Sequence, residues 1–203
     1  MRNLIHLGRE FAMKSHSPSI RVQQAYQMAI RFAGERHADQ KMPASGASYL
    51  VHLSNVAMEV ILAERHTRDF DLEFAVQVAL LHDVLEDTPT SFDEVVESFS
   101  PEIAEAVLAL TKNEELPADI QIPDSLMRIK ALRKEVWAVK LADRISNMQE
   151  PPSTWTREKK KHYRQVAKLI LQELEGGNAY LESRLEALIR DYKDFAEKTP
   201  FRP

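Results

Sequence analysis

Cysteine is absent from the 203 residues. That excludes a disulfide framework, a thiolate nucleophile and a cysteine-based zinc site, so any metal chemistry has to use histidine and carboxylates. No apolar run approaches the roughly 18 residues of a membrane span, and the N-terminus lacks the basic start, apolar block and small-residue cleavage site of a signal peptide. A cytoplasmic protein with no membrane partner is the expectation. An excess of one charge is missing too: 27 Lys and Arg stand against 31 Asp and Glu, a formal net charge of -4 with a pI of about 6.0. No basic field is available for nucleic acid, so a phosphate-rich ligand has to be small and met by a local cluster. Glycine is scarce as well, with 5 in the chain, and apolar residues recur at three- and four-residue steps. Helices are therefore expected almost everywhere and a sheet nowhere.

What is present suits one all-α domain, since 44% hydrophobic and 29% charged residues can bury one sizeable core. Residues 1–16 read as an N-terminal arm and 17–203 as the domain. Ser17-Pro18-Ser19 opens a helix to about Ala38 with an inward stripe of Ala25, Met28, Ala29, Phe32 and Ala33. A second helix covers roughly Leu53 to Glu64. Asp71 N-caps a third that is expected to run unbroken through FAVQVALLHDVLED to Pro89. Ser91 with Glu94 has capping-box spacing, and Ser100-Pro101 starts another helix. Asn113 to Pro123, with two prolines and several acids, reads as a loop and a candidate lid. Helices follow from about Ser125 to Leu132 and from Glu135 to Met148. Two long amphipathic helices, Trp155 to Leu174 and Ala179 to Glu197, are joined at Gly176-Gly177. Their apolar faces suit either a dimer contact or the completion of the core.

Several ionisable residues fall where the pattern calls for apolar ones. His37 continues the stripe of Ala29 and Ala33; His82 continues Ala75 and Val78; Asp83 continues Val76 and Ala79; Asp143 continues Val136 and Val139. A lone inward histidine is usually a hydrogen-bonded core residue, and a lone inward aspartate a cap or ion pair. Two buried carboxylates with two histidines need a common compensating charge, which a divalent cation or a proton-linked polar network would supply. For a cation, the mixed N/O set suits manganese, iron, cobalt or zinc.

Glu86 and Asp87 lie one turn beyond His82 and Asp83, at a helix C-terminus where carboxylates oppose the macrodipole; a role in orienting a water or moving protons accounts for them better than stability does. Asn147 lies one turn beyond Asp143 and would otherwise be a helix C-cap. Lys140 and Arg144, with Lys41 and Lys112, are the local sources of positive charge for phosphate.

The motifs YLVH, ALLHDVLEDT, LTK and VKLADRISNM, in this order, resemble the HD hydrolase module of the Rel/Spo alarmone enzymes, most closely its stand-alone form, the small alarmone hydrolases. The resemblance covers about Ala25 to Tyr163. It implies a helical bundle that uses manganese to remove the 3′-pyrophosphate of (p)ppGpp, giving GDP or GTP. By motif it implies His37, His82, Asp83 and Asp143 as metal ligands, Glu86 and Asp87 as the catalytic acid pair, Asn147 as a nucleotide contact and Tyr163 as a residue near the substrate. With no room for synthetase and regulatory domains, it implies a hydrolase only. The chain departs from the family where Gln40-Lys41-Met42 replaces the usual basic pair, where His52-Leu53 replaces His-Pro, and where DRISNM runs into Gln149-Glu150-Pro151-Pro152. These positions surround the expected nucleotide pocket and leave guanine and adenine both open. The alternative substrates are NADPH or a nucleoside monophosphate.

Overall fold

The computed structural model describes residues 18–43 and 45–197; the expected N-terminal arm and Ser17 lie outside them. Among the described residues the chain is helical with no strand: α1 Pro18–Arg36, α2 Leu50–Glu64, α3 Leu72–Leu81, α4 Val84–Asp87, α5 Phe92–Ser98, α6 Pro101–Leu110, α7 Ala118–Lys130, α8 Lys134–Asn147, α9 Arg157–Glu173 and α10 Ala179–Glu197. Among the described residues no helix is long and apolar enough to cross a membrane.

The short-range signals act as their chemistry dictates. The Asp71 carboxylate accepts from the Phe74 N–H at 3.0 Å, Ser91 and Glu94 complete a capping box, and Ser100 caps α6 with Pro101 in its first turn. α3 is the axis of the bundle. Phe74, Ala75, Val76, Val78, Ala79, Leu80 and Leu81 are all buried, so the helix is enclosed on nearly every side, and it packs against α1, α2, α6 and α8. The apolar faces of α9 and α10 complete this core, with Ala167, Ile170, Leu174, Leu181, Leu185 and Ile189 buried. Their connection needs its glycines: Gly176 has φ 78°, and a Cβ on Gly177 would come within 2.9 Å of the Leu174 carbonyl oxygen.

Two expectations are corrected. The third helix does not run unbroken to Pro89; it ends at Leu81, and Asp83 sits at φ -103°, ψ 0° before α4 begins. The His82 ring causes the break. Its Nδ1 donates to the Ala79 carbonyl at 2.8 Å, the acceptor that the next helical N–H would have used. The segment from Asn113 to Pro123 is not a lid-length loop either, because α7 starts at Ala118 and carries Pro123 inside it. Leu126 and Ile129 anchor that helix in the core and Ser125 donates to the Ala109 carbonyl at 2.8 Å, tertiary contacts that outweigh the local cost of the proline.

Candidate metal centre and active site

The ends of three helices meet in the core. The start of α2 contributes Tyr49 and His52, the α3–α4 break contributes His82 and Asp83, and the last turns of α8 contribute Asp143, Ser146 and Asn147. His52, His82 and Asp83 each offer a ligand atom within 4.8 Å of the others. The two imidazole Nε2 atoms are 3.2 Å apart, and Asp83 Oδ2 lies 2.9 Å from His82 Nε2 and 3.5 Å from His52 Nε2. Asp143 joins through Oδ1, 3.5 Å from His52 Nε2 and 3.7 Å from His82 Nε2.

Every member of this group is held from behind. The Tyr49 hydroxyl donates to Asp83 Oδ2 at 2.5 Å, Asn147 Nδ2 to Asp143 Oδ1 at 2.5 Å, and Lys140 Nζ to Asp143 Oδ2 at 3.0 Å. His52 Nδ1 meets Ser146 Oγ at 3.0 Å. Because a carbonyl can only accept, the bond to Ala79 fixes the proton of neutral His82 on Nδ1 and turns a bare Nε2 into the cluster. That is how metal-bound histidines are commonly braced.

Electrostatics point the same way. Burial pushes the Asp83 and Asp143 carboxyls up, yet the neighbouring imidazoles hold Asp83 well below the usual carboxylate range, and Lys140 with the imidazoles does the same for Asp143. Burial likewise opposes charge on His52 and His82, and the two carboxylates still raise both above the ordinary imidazole value. Positive charge is wanted between these four side chains; ring protons or a divalent cation can supply it. The mutual distances of the His52, His82 and Asp83 donors, the Asp143 carboxylate facing both imidazoles and the braced tautomer of His82 fit a transition-metal ion.

His82, Asp83 and Asp143 therefore come together as expected, but His37 does not join them. It is buried at 1% exposure, as its stripe required, yet it occupies the next layer out: its ring packs on Tyr49 at 5.1 Å, and Tyr49 in turn packs on His52 at 5.2 Å. The place assigned to His37 is filled by His52. Its signal was legible as an inward stripe of His52, Val56, Val60 and Ala63, and as the histidine of the YLVH motif.

Around the centre, Glu86 is clamped by Lys112, whose main-chain N–H donates to Oε2 at 3.0 Å and whose ammonium meets Oε1. Asp87 is exposed and accepts from Gln40 Nε2 at 2.8 Å. Lys140 and Asn147, expected at the substrate, spend a donor each on Asp143, although Asn147 keeps an exposed face. Arg144 is buried, with Nε and Nη1 lacking a hydrogen-bond partner among the described residues. Only 7% exposed, it lies over the Tyr163 ring at 4.5 Å. Tyr163 is half-buried between Arg144 and Trp155, and Lys41 is exposed beside Gln40.

Known proteins resemble this chain in sequence and fold. The HD domain family matches residues 29–176. The guanosine-3′,5′-bis(diphosphate) 3′-pyrophosphohydrolase MESH1 of Danio rerio is 29% identical over 164 residues, covering 78% of this chain and 89% of that protein. The Drosophila melanogaster protein of the same name is 30% identical over 168 residues, covering 79% and 90%. Among solved structures, that of a metazoan ortholog of SpoT that hydrolyses ppGpp and plays a role in starvation responses matches with a TM-score of 0.72 at 27% identity, over 82% of this chain and 94% of that one.

Proposed function

The chain belongs to the HD domain family, and on that premise we propose that it removes pyrophosphate from the ribose 3′ position of (p)ppGpp or its adenine equivalent, in a reaction dependent on manganese or a similar divalent metal. The observation that carries this reading is the convergence of His52, His82, Asp83 and Asp143 beside the Glu86-Asp87 pair. The named activity of the two MESH1 relatives, aligned along most of their length, supports the substrate class.

His52, His82, Asp83 and Asp143 would hold the cation, which when bound supplies Lewis-acid polarisation of a phosphoryl oxygen and acidifies a water. The remaining work falls to the chain itself. Glu86, anchored by both donors of Lys112, keeps lone pairs with which to orient the attacking water. Attack at the proximal phosphorus of the 3′-diphosphate breaks its bond to the ribose 3′-oxygen. Asp87, an exposed carboxylate held by Gln40, is suited to take the proton that the attacking water loses and pass it to that departing oxygen. Lys112, Lys140 and Lys41 offset the charge of the diphosphate, while Asn147 and Tyr163 border the nucleotide.

The test supplies metal-stripped protein with manganese and offers ppGpp, ppApp, NADPH and a nucleoside monophosphate in parallel, with pyrophosphate and phosphate measured separately. Pyrophosphate with GDP from ppGpp, or with ADP from ppApp, supports the reading and assigns the base. Phosphate from NADPH or the monophosphate alone would move it to another nucleotide.

A further inference from the structure

His37 is the one sequence-highlighted histidine that the metal centre leaves unused, and its bonds lead elsewhere. Its Nδ1 lies 2.5 Å from Gln40 Oε1, and Gln40 Nε2 lies 2.8 Å from Asp87 Oδ2. A carboxylate only accepts, so the Gln40 amide presents N–H to Asp87 and its oxygen to His37. The imidazole then carries its proton on Nδ1. His37 Nε2 is buried with no hydrogen-bond partner among the described residues. A purely structural core histidine would be expected to have both nitrogens satisfied, and an apolar residue would fill the space without the orphaned acceptor.

Gln40 is pinned on every side. Its main-chain N–H donates to the His37 carbonyl at 3.1 Å, its carbonyl accepts from the Tyr49 N–H at 3.1 Å, and its side chain is tied to the buried ring. Asp87, by contrast, is exposed, and its carboxylate accepts from the Gln40 amide. We infer that His37 and Gln40 form a positioning arm that sets the Asp87 carboxylate toward the substrate: His37 acts through Gln40 and is not a ligand of the metal. This rests on the role given to Asp87 above.

The experiment compares Gln40→Met, His37→Leu and His37→Asn, each alone and Gln40→Met also in an Asp87→Asn background, by steady-state kinetics on ppGpp together with metal content. Gln40→Met and His37→Leu are expected to lower kcat by about tenfold to a hundredfold, the range for a misplaced catalytic group. KM and bound metal should stay within about twofold of wild type on the same reasoning. Gln40→Met should cost nothing further once Asp87 is Asn. His37→Asn, whose side-chain amide can donate in place of Nδ1, should restore most of what His37→Leu loses. Unchanged kcat in Gln40→Met, an equal loss in the Asp87→Asn background, or metal depletion in His37→Leu would each overturn the arm. The ring ¹⁵N shifts of His37 separate this from failure of the substrate reading, because they need no substrate: an Nδ1–H tautomer that changes in Gln40→Met supports the arm, and an Nε2–H tautomer overturns it.

Discussion

Replacing Tyr49 with Phe removes a single oxygen from the brace of the centre and little else. The hydroxyl donates to Asp83 Oδ2 at 2.5 Å, and that same oxygen faces His82 Nε2 at 2.9 Å and His52 Nε2 at 3.5 Å. Burial and the adjacent Asp83 carboxylate push the phenol far above its usual pKa, so Tyr49 remains a neutral donor across the working pH range. A phenylalanine ring would keep the packing on His37 and His52. The loss is therefore one charge-assisted hydrogen bond, about 1.5–3 kcal/mol. That agrees with the roughly 10–100-fold fall in metal affinity seen when an outer partner of a metal ligand is removed. Titration of metal-stripped Tyr49→Phe and wild-type protein against a competing chelator at fixed pH measures the difference. An affinity within about twofold of wild type would show that the Asp83 carboxylate does not depend on Tyr49 to face the metal, against the general cost of losing such a partner.

Glu86→Gln should lower turnover by about 10²–10⁴-fold, the usual contribution of a general acid or base, while metal content measured alongside stays at the wild-type level. Glu59 is buried at 8% exposure and holds Arg184 through both oxygens, joining α2 to α10. Because Arg184 is partly exposed, Glu59→Ala should cost about 1–3 kcal/mol and lower Tm by several degrees in a melting experiment. At Glu135 burial pushes the carboxyl up, but Arg133 and the Asp71 N–H pull it below its usual value, so its stabilisation is present above the unfolded pKa near ~4.3 and lost as pH falls through the lower folded value. Melting curves of Glu135→Gln should therefore lose less Tm between neutral and strongly acidic pH than wild type; parallel profiles would contradict this.

How much was legible in the sequence follows from the range of the interactions involved. Caps at Asp71, Ser91 and Ser100 are settled within four residues of chain, and they appear where the sequence puts them. Burial of His37, His82 and Asp143 follows from helical periodicity alone. Which buried side chain reaches which other is set by packing between helices, and there periodicity is silent. His37 and His52 are both inward, and only the approach of α2 to α8 through Ser146 assigns His52 to the centre. The break after Leu81 escaped for a related reason. Its cause is a side chain taking a helix carbonyl, while the apolar spacing continues across it. At α7 the local proline signal was real, but it was outweighed by Leu126, Ile129 and the Ser125 bond to a neighbouring helix.

The proposed activity is a metal-dependent pyrophosphohydrolysis with the cation held by His52, His82, Asp83 and Asp143. Its most direct test is bound metal and pyrophosphate release from ppGpp and from ppApp, measured on the same preparations of wild type, His52→Asn and His37→Asn after stripping and resupply of manganese. Wild type is expected to bind the metal and release pyrophosphate, His52→Asn to lose both while remaining folded, and His37→Asn to keep its metal. Metal retained in His52→Asn but lost in His37→Asn, or a folded and metal-loaded wild type that releases no pyrophosphate from either ppGpp or ppApp, would contradict it.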